Sequence, residues 1–313
     1  MRVKNAFKIL ISYSAMIYKS VFYKLITTSI IGIISYFIVR SDLEFIFKSK
    51  ELGLFWDAIL NSVTTLLKDG IHPTLFEPIP QAFDAFLAMI KANILDIFLA
   101  FLKVGLFLFL LNVIERMGNY AIGLIANNYM SSLSKYSLVA TLIANFGSAL
   151  VYALVISTIV LIYDGLILTI GLLMAVYGVR VISIFAVILA LIFIVLAVSI
   201  KFTLFSRFMP SMITDKKSVG KALKHTFTKR ENFFAMVGNY AFVVMISFYL
   251  NVSVAVFTFG AGLIVTLPLT SIFTVIVSFV DHYQIEGKKY YVSSEEVVTP
   301  RQMREHADLL KYM

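Results

Sequence analysis

Lys103 and Asp96 are the residues of this chain with the clearest chemical question attached. They stand seven positions apart, in a stretch from Asn93 to Ile114 that is otherwise almost wholly apolar. An ionised side chain at mid-bilayer costs about 3 kcal/mol or more unless it is paired or hydrated. Seven residues of helix put both on one face, roughly 10 Å apart. That is too far for direct pairing unless the lysine stem reaches along the helix. Together with Asn93 they are candidates to line one polar cavity. The alternative for Asp96 is a place at the interface; Lys103 is the deeper of the two.

A second group of candidates is cationic. Between residues 201 and 233 stand Lys201, Arg207, Lys216, Lys217, Lys221, Lys224, Lys229 and Arg230, against only Asp215 and Glu231. Basic residues beside apolar segments set orientation and attract anionic lipid headgroups. Arg207, Lys216, Lys217, Lys221, Lys224, Lys229 and Arg230 are therefore candidate lipid contacts, and orientation alone is the other use. Pro268 falls within an apolar run and is a candidate hinge, because proline frees a backbone carbonyl and kinks a membrane helix.

Catalytic chemistry finds little support. The chain has no cysteine, which removes disulfides, thiolate ligands and cysteine nucleophiles. The four histidines, at 72, 225, 282 and 306, lie outside the expected core, and no pair has the helical spacing of a metal site. A glycine-rich phosphate loop is absent, as is Gly-x-Ser-x-Gly. The expectation is a protein that is not an enzyme and needs no cofactor.

The elements that must position these residues are membrane helices. Composition is 60% hydrophobic and 14% charged, where soluble domains carry about 25% charged residues. The longest apolar run, Ser137 to Ile200, is broken only by Asp164 and Arg180. A hydrocarbon core about 30 Å thick needs ~20 such residues. The expected fold class is an all-α polytopic helical membrane bundle. Its spans are read at about 22–39, 92–114, 138–163, 181–203, 234–252 and 255–280. These make one transmembrane domain over 1–280, followed by a cytoplasmic tail, 281–313. After the first run come Arg40, Ser41 and Asp42 in place of a small-residue cleavage site, so the first span reads as uncleaved.

Charge bias settles the expected topology. With both termini in the cytoplasm, six spans keep the eight cations of 201–233 inside, whereas a seventh would place them outside. Residues 164–179 are accordingly expected to be a short segment that does not fully cross. The loop 40–91 is then extracytoplasmic, and Leu52, Phe55, Trp56, Ile59, Leu60, Val63, Leu66 and Leu67 give it an amphipathic helix. Residues 1–20 read as a further interfacial helix. The net charge of +9 sits beside apolar segments, which points to anionic lipid on the cytoplasmic side and away from nucleic acid. Residues 40–91 and 281–313 are the candidate docking segments for a protein partner.

Ser132-Leu133-Ser134-Lys135 and Ser218-Val219-Gly220-Lys221 lie 86 residues apart, an offset that carries the third span onto the fifth and suggests an internal repeat of span, hairpin and span. Arg207-Phe208-Met209-Pro210-Ser211-Met212-Ile213, then Ser218 to Phe227, then Lys229-Arg230-Glu231-Asn232-Phe233 form a loose motif. At these residues, and over about 115–250, the chain resembles bacterial membrane proteins of the YciC-like type and the membrane domain attached to some glycerophosphodiester phosphodiesterases. The resemblance implies a proline-containing turn after a span, a short Ala-Leu helix and a basic lead into the next span. No soluble phosphodiesterase domain is present, so it implies no activity. The functional expectation is a transporter-like or lipid-handling bundle, with an accessory or scaffold subunit of a membrane complex as the alternative.

Overall fold

The computed structural model describes residues 2–70, 75–182, 184–228 and 233–299. Almost all of this is helix: α1 (Arg2–Ser12), α2 (Ala15–Phe47), α3 (Lys50–Asp69), α4 (Pro78–Ala92), α5 (Ile94–Ser132), α6 (Leu138–Ala144), α7 (Phe146–Ile182), α8 (Ile184–Phe205), α9 (Phe208–Ile213), α10 (Val219–Thr228), α11 (Phe233–Phe257) and α12 (Leu263–Ile285). A two-stranded antiparallel hairpin, β1 (Tyr290–Tyr291) and β2 (Val297–Val298), follows. Six of the helices are long and apolar enough to cross a membrane, in α2, α5, α7, α8, α11 and α12. The chain forms an all-α polytopic bundle of two compact units. One comprises Met1–Thr27, Asn112–Ser157 and Val198–Met313; the other comprises Thr28–Leu111 and Thr158–Ala197.

In the first unit the core lies along α12. Ile272, Ile276, Val277, Phe279 and Val280 are fully buried there, with Ala121, Ile125, Ala126 and Met130 of α5 buried in the same unit. Gly123 marks a close approach of α5 to α9 and α12. A Cβ there would meet the Met209 sulfur at 2.9 Å, Phe279 at 3.0 Å and Ile213 at 3.2 Å. Helix α1 is amphipathic, and its buried Asn5, Ala6, Ile9 and Leu10 are the face that meets α12. Residues 1–20 are therefore more than an interfacial helix: α1 is a packed element, with Phe7 edge-on to Phe273.

In the second unit α3 and α4 form the amphipathic pair expected in 40–91. Ser49 caps α3, its side chain accepting from the Leu52 amide, and Pro78 opens α4 where a missing N–H does no harm. Phe55 lies against Phe83 and stacks on Phe86, and Phe83 meets Tyr177 edge-on. Leu75, Phe76 and Ala186 make a small core with Leu66, Ile79 and Val187 around it.

Several boundaries differ from the sequence reading, each for a local reason. Residues 164–179 are no separate segment: α7 continues from Phe146 through Gly165 to Ile182. No proline interrupts it, and glycine inside an apolar helix weakens it without ending it. At 1.5 Å per residue, its 37 residues exceed a hydrocarbon core of about 30 Å. Residues 115–137 are not a hairpin, because α5 runs straight on to Ser132 and ends with Leu133 at φ 57. The matching stretch after α8 does turn, since the Pro210 ring would clash with the carbonyl four residues back if α8 continued. Thus Ser132–Lys135 ends a helix while Ser218–Lys221 begins one. The last span starts later than 255, after a turn with Gly260 at φ +86, and ends later than 280. Asp281 and His282 are helical as a result. Small residues recur at one-turn spacing on α7, where Ala149, Ala153 and Ser157 have no exposed surface. Thr270 and Thr274 hydrogen-bond carbonyls four residues back in α12, and Ser278 the carbonyl of Val275.

Leucine at Gly123 should overpack the α5–α9–α12 contact. Gly123→Leu is expected to cost roughly 1–3 kcal/mol, seen as a lower thermal midpoint in detergent. Gly238→Ala, in α11 with open space around it, should instead raise the midpoint, by roughly 0.5–1 kcal/mol of stability.

Candidate functional site

The six apolar helices bear large hydrophobic side chains outward along most of their length, among them Phe37, Leu102, Leu168, Leu191, Phe248 and Leu267. Water would not tolerate this surface on such a scale. The chain is an integral membrane protein.

The membrane candidates lie in the second unit. The Lys103 ammonium pairs with Asp42 of α2 at 2.8 Å. Asp96 is exposed near the start of α5. Asn93 closes α4, its amide donating to the Met89 carbonyl, and lines an open groove with Glu44, Phe45, Lys48, Ser49, Glu51 and Met89. Lys103, Asp96 and Asn93 thus do separate things. Glu44 in that groove is held by Arg40 at 2.9 Å and Lys48 at 3.0 Å. Its carboxyl is lowered from the ordinary value chiefly by the Arg40 hydrogen bond. Asp164 sits within α7, and the Arg180 side chain lies outside what the structure describes, as do Lys229, Arg230, His72 and His306. Pro268 is buried inside an unbroken α12.

The first unit holds a polar cluster that was not anticipated. Four segments converge on the end of α12: α1, the chain from α8 to α10, α12 itself and the hairpin after it. Asp281 is wholly buried, and Arg2 of α1 reaches it at 2.9 Å. Arg2 also donates to Gln284, whose amide donates to the Tyr290 hydroxyl; Asn5 donates to the same hydroxyl at 2.8 Å. Lys8 pairs with Glu296, and Ser12 donates to the Val292 carbonyl. The segment expected to be a free tail is therefore folded, through Val298, against α1. Residues 300–313 lie outside the described chain.

Next to it, Asp215 collects three partners: Lys288 at 2.5 Å, Lys217 at 2.9 Å and the buried His282 Nε2 at 3.3 Å. Burial opposes its ionisation, but the Lys288 and Lys217 hydrogen bonds outweigh that and hold the carboxyl well below its ordinary value. His225 of α10 lies 3.1 Å from the Ser211 hydroxyl through Nδ1 and 3.7 Å from Glu286 through Nε2. Its ring is edge-on to His282, centroids 6.4 Å apart. Enclosure, with Lys217 beside it, lowers its tendency to protonate. Ser211, His225 and Glu286 are the residue types of a nucleophilic relay, yet Ser211 has no exposed surface. Its hydroxyl serves to orient the imidazole. Asn127 of α5 completes the assembly, accepting from Thr214 and Tyr283.

The nearness of His225 to His282 escaped the sequence reading because 57 positions separate them and only the fold, through the turn at 214–218 before α10, brings them together. Of the proposed lipid contacts, Lys216, Lys221 and Lys224 are exposed, Lys217 is taken up with Asp215, and Arg207 is buried. No family model, curated protein or solved structure matches the chain.

Two ion pairs give separable predictions. Lys103→Leu or Asp42→Leu alone should leave one charge uncompensated among apolar helices and lower the thermal midpoint. The double variant should recover most of the loss, because replacing both partners is nearly neutral while removing one is not. Asp215→Asn should cost roughly 3 kcal/mol at neutral pH. With its folded carboxyl below the unfolded value of about 3.9, the wild type keeps this stability at higher pH. It loses it as acid carries the solution through that value and below. The thermal midpoint of the variant should fall less steeply than the wild type's over the same acid range, because the remaining paired carboxylates, Glu44 among them, still titrate there.

Proposed function

We propose that this chain is a non-enzymatic lipid-handling membrane protein with both termini and its basic end in the cytoplasm. The observation that carries the reading is the outward faces of α1 and α10. On α1, Phe7 and Ile11 are 55% and 61% exposed, with the exposed Lys4 between turns. On α10 the exposed Lys221 and Lys224 stand with Phe227, 38% exposed, and Lys216 precedes them. Large apolar and basic side chains on one face suit the headgroup level, where apolar groups enter acyl chains and ammonium groups meet lipid phosphates. Each lysine near an anionic surface is worth about 1 kcal/mol. The loose resemblance of residues 115–250 to YciC-like bacterial membrane proteins agrees with a bacterial membrane setting.

One observation favours an accessory subunit instead. The α2 span carries Phe22, Ile26, Ile30, Ile33 and Phe37 exposed on one side and Leu25, Ile34 and Ile38 on others. Ser20 and Val39 on its other side are buried, with Thr27, Ile31 and Ser35 half-buried between them, and an apolar face left this open has room for a second chain as well as for lipid.

The test is purification in mild detergent with mass spectrometry of bound lipid and protein together. Anionic lipid should be enriched several-fold over the bulk membrane, and the Lys216→Gln/Lys221→Gln/Lys224→Gln variant should lose that enrichment. A stoichiometric protein partner with no lipid enrichment would establish the subunit reading in its place.

A further inference from the structure

We propose that His225 is a protonation switch that seats α10 against the end of α12 when neutral and releases it when charged. The geometry is that of a helix held by one face and one ring. Ala222 and Thr226 are buried on the seated face of α10, with Val219 and Leu223 half-buried beside them. The imidazole crosses from α10 to both neighbours, meeting Ser211 of α9 at one nitrogen and Glu286, just past α12, at the other.

The charges around the ring decide what a proton does there. From its own helix, Lys221 and Lys224 lie one turn or less away. From the loop before α10 come Asp215 and Lys217, from the α8–α9 turn Arg207, and from the α12 end His282 and Glu286, with Lys288 beyond. Glu286 and Asp215 would welcome an imidazolium. Asp215 is already neutralised by Lys217 and Lys288, so it offers less than its distance implies. Lys217 and Arg207 repel a further cation, and the half-buried ring leaves less water to hydrate it than a free one has. Enclosure is the largest effect and outweighs Glu286. A released α10 would leave the ring in water, at the ordinary value of about 6.5. The released state therefore binds the proton more tightly, and acidification through the histidine range shifts the balance toward it. Each unit of difference between the two states changes their ratio tenfold.

Chain connectivity says where a released α10 goes. It is strung between two helices able to cross a membrane, α8 and α11, so the bilayer surface lies within its reach. Its face of Val219, Ala222 and Leu223 can be buried there, with Lys221 and Lys224 at headgroup level.

The absence of cysteine allows a direct test on the full chain in nanodiscs. Spin labels on Gly220→Cys and Lys289→Cys, both exposed, report the distance from α10 to the segment after α12 by pulsed EPR. A narrow distribution is expected at about pH 7.5, and a longer, broader one at about pH 5.5. In the His225→Gln background the narrow distribution should persist at both values. A wild type unchanged by pH, or a His225→Gln protein that responds as the wild type does, overturns the proposal. Glu286→Gln removes the carboxylate that lets the seated state tolerate the imidazolium, so release should come at the same or a higher pH than in the wild type. A midpoint that falls overturns it equally.

Discussion

A charge that leaves water must bring its counter-charge with it, and in the first unit that requirement determines what packs against the end of α12. Asp281 is completely buried one turn before the helix ends. Arg2 supplies the ion-paired counter-charge, with the buried Arg207 adding attraction from the α8–α9 turn, and supplying it draws α1 alongside α12. Once α1 is there, Asn5, Lys8 and Ser12 are in reach of Tyr290, Glu296 and the Val292 carbonyl, and the hairpin has a surface to fold on. An isolated two-stranded hairpin this short is not stable by itself. Its order is a consequence of the buried ion pair and of the apolar side chains, Tyr290, Val292 and Val298, that it buries in turn.

Asp215 repeats the logic on the neighbouring side. It sits in a loop, where the backbone does little to fix it, yet Lys217, Lys288 and His282 all point at it. This carboxylate ties the chain before α10 to the chain after α12. Polar networks of this kind specify one arrangement more than they add net stability, because breaking them leaves charges stranded. The apolar contacts of α5, α9 and α12 supply the bulk of the burial, and the ionic contacts decide which packing of those helices is reached.

How much of this was legible follows from the range of each signal. Apolar run length is local, so the six membrane helices could be read directly, and so could the amphipathic α3 with its Ser49 cap. Helix ends are set by single residues. Pro210 announces the break after α8, whereas the likeness of Ser132–Lys135 to Ser218–Lys221 does not extend to structure, because one ends a helix and the other begins one. Pairing partners lie far apart in sequence. Lys103 was weighed against Asp96 on its own helix because spacing speaks only within one helix; its partner, Asp42, is 61 residues away. Arg2 and Asp281 are farther apart still, and neither stands out: one is an N-terminal cation among several, the other follows an apolar run as many interfacial residues do.

The same contrast bears on where function can reside. An apolar helix in a bilayer loses little if its register or tilt shifts slightly, since lipid is as apolar as leucine and no large hydrophobic force holds helix to helix. A cluster of ionised and hydrogen-bonded groups has no such latitude: an ångström of displacement unpairs a buried charge. Slow, cooperative change between discrete states is therefore more readily built at the end of α12 than along the spans. There the same few groups, Asp215, His225, His282 and Glu286, couple α10, a short basic helix tethered between two spans, to the end of α12 and the chain that follows it. A signal that alters one charge in that cluster must be answered by all the segments that share it.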